Sequence, residues 1–153
     1  VDEILALQAK HSEYHQHYQT NPVTKADILA ELETLPSKAL PEQKFYLGFY
    51  AQDELVVLVD LVLDHPQANC AWLGLVMTEK TKLRQHYATK VLTALRSALK
   101  REGYKELMTS SALSDVNAQA FLNVQGFEQG MVTSVYDPKL GHDIQVVLRG
   151  IEL

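Results

Sequence analysis

The stretch from Leu73 to Leu95, LGLVMTEKTKLRQHYATKVLTAL, constrains the fold more than any other part of the chain. It reads as an apolar strand, a short basic turn without glycine, and then an amphipathic helix. Tyr87, Ala88, Val91, Leu92, Leu95, Ala98 and Leu99 share one helical face, Gly103 stands where a C-cap belongs, and Lys100 and Arg101 suit the negative end of the dipole. A strand entering a helix N-terminus converges backbone N–H groups on one spot, where the dipole favours an anion. Glycines usually let such a ligand approach the backbone closely. Here those places hold His86 and Ala88.

The charge distribution bears on the same segment. A net charge of −5 argues against general nucleic-acid binding. Yet residues 80–105 hold eight of the 14 Lys and Arg (Lys80, Lys82, Arg84, Lys90, Arg96, Lys100, Arg101 and Lys105) against one acid, Glu102. Residues 1–79 hold 12 of the 19 acids and only four basic residues. Either the basic cluster is a solvated helix face, or it is a local positive field for a phosphorylated ligand on an otherwise acidic protein.

At 153 residues the chain suffices for one ordinary domain with a real core. The longest apolar run, Leu55 to Leu63, is broken by Asp60 and is far short of the roughly 18 residues a membrane span needs. The N-terminus is acidic and has no uninterrupted apolar core, so no secretory signal is expected, and the opening on Val1 rather than Met suggests loss of a short leader. One cysteine, Cys70, excludes an internal disulfide, fits a reducing cytoplasm, and is expected in the core.

Residues 2–19 read as a helix carrying Ile4, Leu5, Leu7, Ala9, Tyr14 and Tyr18. Its HSEYH string has the two-His spacing of a zinc helix but lacks Glu directly after His11 and has no third ligand. No metal is therefore expected, and His11, His15 and His17 are read as a solvated helix surface. Thr24, with Asp27 three residues on, caps a helix through about Leu35. KFYLGFY and ELVVLVDLVL form a hairpin across AQD, and Cys70 to Met77 is a third strand. After the helix Tyr87 to Glu102 come a strand from Tyr104 to Thr109, a helix capped by Ser114 or Asp115 and running to about Val124, and strands Phe127 to Tyr136 and Asp143 to Leu153. The order predicts one α+β domain over residues 1–153 built on a mixed sheet.

That order, with these residues, resembles the GNAT superfamily of N-acetyltransferases over roughly residues 24–153. The family's Gln/Arg-x-x-Gly-x-Gly/Ala turn binds the CoA pyrophosphate through backbone N–H groups. Leu83, Arg84, Gln85, His86, Tyr87 and Ala88 take its six positions, with Leu83 for the leading Gln/Arg and His86 for the first glycine. DVNAQAFLNVQGF resembles the family's Asn-x-x-Ala-x-x-Phe-Tyr-x-x-x-Gly-Phe segment. Ala118, Phe121, Gly126 and Phe127 match, Asp115 replaces the leading Asn, and Leu122 replaces the tyrosine that protonates the departing thiolate. The resemblance implies a GNAT-like acyltransferase fold and acetyl-CoA as cosubstrate. Leu75, Val76 and Met77 would hold the pantetheine through strand amides, and Arg84, Gln85, His86, Tyr87, Ala88 and Thr89 the pyrophosphate. Phe121 would line the same site, and Asn117 is either a pantetheine contact or a second-position cap residue.

Direct attack by an amine on the thioester needs a base, and the thiolate needs a proton. Asp60 is the candidate base: alternation puts it with Leu58 and Val62, opposite Val57, Val59 and Leu61, and burial would raise its pKa. The alternative is a structural, hydrogen-bonded acid. Asp64 is read as a turn residue and Tyr87 as packing, while Lys82, Arg84 or protonated His86 are candidates for direct phosphate contact. The expected activity is acetyl transfer from acetyl-CoA to a small-molecule or N-terminal primary amine. The other reading is the same fold with a degenerate turn, used as a ligand sensor or assembly surface, for which His86 and Leu122 argue. Neither nucleic acid nor membrane is an expected partner, and the C-terminal strand DIQVVLRGIEL is a candidate edge for a homodimer.

Overall fold

The computed structural model describes all 153 residues. Its spine is one six-stranded sheet built from β1 (Lys44–Ala51), β2 (Glu54–Leu63), β3 (Cys70–Thr78), β4 (Glu106–Ala112), β5 (Glu128–Asp137) and β6 (His142–Glu152), in the order β1-β2-β3-β4-β6-β5. Only β3 and β4 run parallel, and helix α4 (Tyr87–Arg101) makes the crossover between them. All other neighbours are antiparallel, so the sheet is mixed, as the element order predicts. No helix is long and apolar enough to cross a membrane.

Local chemistry explains most boundaries. Gln52 and Asp53 both take positive φ (52° and 65°), the two-residue turn whose twist suits a hairpin. Thr24 and Asp27 form a reciprocal capping box that starts α3 (Lys25–Glu33). Helix α5 (Val116–Val124) begins where the Asp115 carboxylate accepts from the Ala118 N–H at 3.1 Å. It ends on Gly126 at φ 91°, with Phe127 N–H reaching back to the Leu122 carbonyl at 3.0 Å and Gly126 N–H to Asn123 at 3.1 Å. Leu122 and Phe127 then meet in the core, so Gly126 and Phe127 are helix-stop residues. Helix α4 stops the same way at Gly103, with Tyr104 N–H donating to the Leu99 carbonyl.

Apolar surface is buried on both faces of the sheet. Val57, Val59, Leu61 and Leu73 pack with Val91, Leu92 and Leu99 of α4 and Leu122 of α5. On the opposite face Leu55, Leu58, Leu75 and Met77 pack against Leu7 of α1 (Asp2–Gln8). Burial of each such side chain stabilises the fold by about 1.5–3 kcal/mol.

Three sequence expectations shift. The single N-terminal helix is two, α1 and α2 (Ser12–His15), because His11 leaves the helical region (φ −106°, ψ 52°) to bond the end of β3. Strand β4 starts at Glu106 and extends to Ala112, since Tyr104 is taken up in stopping α4. The C-terminal strand β6 lies between β4 and β5, so it has no free edge for pairing a second copy; β5 is the outer strand.

Arg149 of β6 is 3% exposed and has no carboxylate partner. Its guanidinium instead donates to Gln119 Oε1 (2.8 and 3.1 Å), Asn123 Oδ1 (2.7 Å) and the Phe127 carbonyl (3.2 Å), clamping α5 to the sheet. A flat fork of donors suits three separate oxygens in a way that an ammonium does not. Arg149→Met should cost about 2 kcal/mol, roughly 6 °C in melting temperature, because the acceptors lose their donors. Arg149→Lys should recover little of it, and an unchanged melting curve for Arg149→Met would remove the clamp from the account.

Candidate functional site

The two parallel strands part company inside the molecule. β3 and β4 are paired from Cys70↔Glu106 to Leu73↔Thr109, where Thr109 Oγ1 donates to the Leu73 carbonyl at 2.7 Å. Opposite β2, Leu61 faces Leu73 while Asp60 faces Leu75, so Gly74 is an extra residue on β3. Such a bulge bends its strand and ends regular pairing. Beyond it a cleft opens between β3 and β4.

Register shows which amides line that cleft. Glu79 N–H donates to the Val56 carbonyl at 2.7 Å, which makes Val57↔Thr78 and Val59↔Val76 the pairs whose main-chain groups turn away from β2. Val76 and Thr78 therefore present backbone groups to the cleft. Leu75 and Met77 direct theirs to β2, and their side chains are buried in the core beneath α1. Thr78 was not among the sequence candidates, although period-two alternation from Val76 points to it.

At the end of β3 the chain turns into α4. The Glu79 carboxylate anchors the turn, accepting from Thr81 N–H (2.6 Å) and Thr81 Oγ1 (2.9 Å) and pairing with the Lys10 ammonium. Burial pushes that carboxyl up, but the Lys10 and Thr81 contacts outweigh it and hold Glu79 below the usual glutamate range. Arg84 and His86 then adopt left-handed backbone, φ 65° and 63°. The first backward helix bond is Lys90 N–H to the His86 carbonyl, and the N–H groups from Arg84 through Thr89 have no acceptor in the protein. These six free donors stand at the positive end of a 15-residue helix, the kind of helix terminus that suits an anion.

The left-handed conformation that glycine would take cheaply is thus kept by His86 at about 1–2 kcal/mol. The side chains of Arg84, Gln85 and His86 are exposed, and Lys80, Lys82 and Lys90 stand in the same segment. Thr89 Oγ1 accepts from Gln125 Nε2 at 2.9 Å, which ties the first turn of α4 to the end of α5. Tyr87 and Phe121 pack against the core, Ala88 is partly buried, and Asn117 is exposed in the first turn of α5.

Asp60 lies on the α1 and α3 face, over the bulge. A Cβ at Gly74 would lie 3.4 Å from the Asp60 carboxyl, so the absent side chain leaves it room. Its Oδ2 is 3.1 Å from Lys44 Nζ, which also donates to the carbonyls of Glu31 (2.7 Å) and Thr34 (2.6 Å) at the end of α3. Oδ1 is buried with no partner. Burial pushes the Asp60 carboxyl above its ordinary value, and the Lys44 ammonium draws it partly back. Beside it, Glu31 Oε2 accepts from Tyr46 Oη (2.7 Å) and Gln8 Nε2 (2.6 Å). Lys44 escaped the sequence reading because its role depends on β1 pairing with β2.

The N-terminal segment covers the mouth of the cleft. His11 Nε2–H donates to the Thr78 carbonyl on β3 at 2.7 Å, and Tyr18 Oη accepts from Ala112 N–H on β4 at 2.9 Å. His15 is buried with Nε2 unpartnered, and His17 Nδ1 lies 2.7 Å from Ser114 Oγ. The expected solvated histidine face is therefore wrong: His11 and His15 turn inward, and burial holds both below the usual histidine pKa. Cys70 is in the core and Asp64 is a turn residue accepting from Asn69 N–H, as expected.

If His86 is strained, His86→Gly should hold or raise the melting temperature, whereas His86→Val, worse suited to positive φ, should lower stability by about 1–2 kcal/mol. Equal melting of the two variants would show that this turn relaxes without cost.

No family model matches the chain, and no curated protein matches it in sequence. Solved structures do match in fold. An acetyltransferase from Thermus thermophilus is 21% identical with a TM-score of 0.72, over 99% of this chain and 91% of that one. The ribosomal-protein-S18-alanine N-acetyltransferase from Escherichia coli is 14% identical with a TM-score of 0.66, over 99% and 87%. A GNAT family acetyltransferase from Elizabethkingia anophelis with acetyl-CoA bound is 11% identical with a TM-score of 0.60, over 73% and 78%. The chain has the GNAT acyltransferase fold.

Proposed function

We propose that the protein is an N-acetyltransferase that takes acetyl-CoA as its acyl donor and a primary amine as acceptor. The observation that carries this reading is the run of unpaired N–H groups from Arg84 to Thr89 at the N-terminus of α4, continuous with the free main-chain groups of Val76 at the β3–β4 cleft. A donor with a pyrophosphate at one end and amides along its arm suits the two features together. The surrounding Lys80, Lys82, Arg84 and Lys90 add positive field without closing the cradle.

Asp60 is the base in this reading. The amine enters over the bulge from the α1 and α3 face, and the Asp60 carboxylate, which borders the space left by Gly74, takes its proton as nitrogen attacks the thioester carbonyl. Lys44 holds the carboxylate in place through Oδ2. Attack is direct, so no covalent enzyme intermediate forms. A base must be ionised, and burial raises the Asp60 pKa, so kcat/KM should fall as pH drops through a value above the usual aspartate range.

Calorimetry with acetyl-CoA, and with an acetylated pantetheine lacking the pyrophosphate, tests the cradle directly. Acetyl-CoA should bind at micromolar concentration and the truncated donor far more weakly; no binding of acetyl-CoA at millimolar concentration would end the proposal. Acceptors should be screened with simple alkylamines, polyamines and a peptide with N-terminal alanine, the last because two fold neighbours are described as ribosomal-protein alanine N-acetyltransferases. Asp60→Asn should lower kcat by about 10²-fold or more and abolish the acidic limb, with acetyl-CoA affinity intact. The second reading, an acyl-CoA sensor, is favoured by Leu122, which is buried in the core and supplies no proton. Tight acetyl-CoA binding with no acetylation across the panel would support it.

A further inference from the structure

Collapse of the tetrahedral intermediate releases a thiolate, and the transfer is complete only when that sulfur gains a proton. The α5 position that resemblance would assign to this task is Leu122, an apolar side chain 4% exposed within the core. An acid supplied by the protein therefore comes from another element that borders the cleft. His11 is committed, since its Nε2–H is directed at the Thr78 carbonyl. His17 is engaged with the Ser114 hydroxyl and lies 4.0 Å from the Asp115 carboxylate. Tyr18 is different.

The Tyr18 hydroxyl sits on the β4 bank. Leu113 N–H donates to the Gln145 carbonyl of β6, so the main chain of Ala112 points away from β6 and into the cleft, where its N–H meets Tyr18 Oη at 2.9 Å. Ala112 is three residues beyond the last paired position, Leu73↔Thr109, and Val76 is three residues beyond it on the other strand. With Gly74 bulged out of the β3 count, the hydroxyl and the Val76 amide lie on opposite banks just past the point where the strands part. Tyr18 Oη accepts one hydrogen bond and donates none within the protein, so its proton is free to turn into the cleft. We infer that Tyr18, reaching in from the N-terminal segment, is the acid that protonates the departing CoA sulfur.

This inference rests on the acetyl-transfer reading and adds the proton ledger to it. The amine nitrogen bonds the acetyl carbon and the C–S bond breaks. Tyr18 O–H gives its proton to sulfur as the electron pair leaves on it. The amine's proton passes to Asp60, and the Tyr18 phenolate is reprotonated from solvent as Asp60 releases that proton. Net change is one proton moved from nitrogen to sulfur. Burial raises the Tyr18 pKa and the Ala112 N–H partly offsets this, so the phenol is protonated at neutral pH. Asp115 of α5 and Asp137 of β5 add to the rise, and the rings of Tyr14 (5.1 Å) and His17 (6.4 Å) pack beside it.

The test is Tyr18→Phe against the wild type, with acetyl-CoA and the amine panel, read as kcat, KM, acetyl-CoA affinity and pH profile. The expected result is a kcat lower by roughly 10²-fold, with affinity and acetyl-CoA KM within about twofold. The alkaline limb of the kcat profile should also vanish. An acetyl aryl thioester, whose acidic thiol leaves without protonation, should show little difference between the two proteins in kcat/KM. Unchanged kcat would overturn the assignment, as would an equal defect with both donors, which marks a role in shaping the cleft. Either result leaves a working wild-type transferase, so it is distinct from failure of the wider reading, in which the wild type itself transfers nothing.

Discussion

The cleft and the acid above it depend on one irregularity in the sheet, the extra residue at Gly74. Without it β3 and β4 would go on pairing past Leu73↔Thr109, and the main chain of Val76 would be spent on strand hydrogen bonds. The bulge frees those groups, and because the position has no side chain it leaves room for the Asp60 carboxyl above it. One glycine therefore sets up both sides of the proposed reaction, the donor cleft between the strands and the base over its apex. Beyond the bulge, Leu75 and Met77 are buried under α1 while α4 packs on the other face of the sheet.

The second dependence is on the N-terminal segment. Lys10 pairs with Glu79, His11 bonds Thr78 and Tyr18 bonds Ala112, so three contacts within nine residues tether it to both banks of the cleft. The His11 and Tyr18 bonds use main-chain groups of Thr78 and Ala112 that have no ladder partner, and unpaired buried main-chain groups are costly enough to drive both, while Lys10 adds an ion pair to the Glu79 side chain. The anchoring of Glu79 links this segment to the turn before α4 as well: the same carboxylate that holds Lys10 fixes Thr81 at the start of that turn.

What the sequence made legible follows physical range. Helix α4, the β1–β2 hairpin and the helix stops at Gly103 and Gly126 were readable because periodicity, turn chemistry and C-capping act within a few residues. The break between α1 and α2 was not, because Leu7, Tyr14 and Tyr18 do recur at helical spacing and only the distant Thr78 and Glu79 pull the chain out of it. The inward turn of His11 and His15, the Lys44–Asp60 pair and the interior position of β6 share that origin: each is settled by an element far away in sequence. Asp60 was legible as an acid in an apolar strand, but its partner was not, since cross-strand and cross-helix neighbours exist only once the sheet is assembled.

The turn before α4 shows how a backbone feature is kept without the residue that usually makes it. An anion cradle is made of N–H groups, and N–H groups belong to every residue except proline. What the cradle requires is left-handed backbone at the position the motif gives to glycine, and His86 supplies that at φ 63°. The strain, on the order of 1–2 kcal/mol, is small beside the packing of Val91, Leu92 and Leu99 that holds α4 against the sheet. The geometry is therefore compatible with a side chain at this position as long as the helix stays anchored. The same logic separates the turn from the thiolate acid. A hydroxyl is a property of one side chain, so in the proposed reaction apolar Leu122 supplies no proton and Tyr18, from another element, takes that part. Backbone-made sites tolerate drift in place, whereas side-chain chemistry has to move to wherever the fold brings a suitable residue to the cleft.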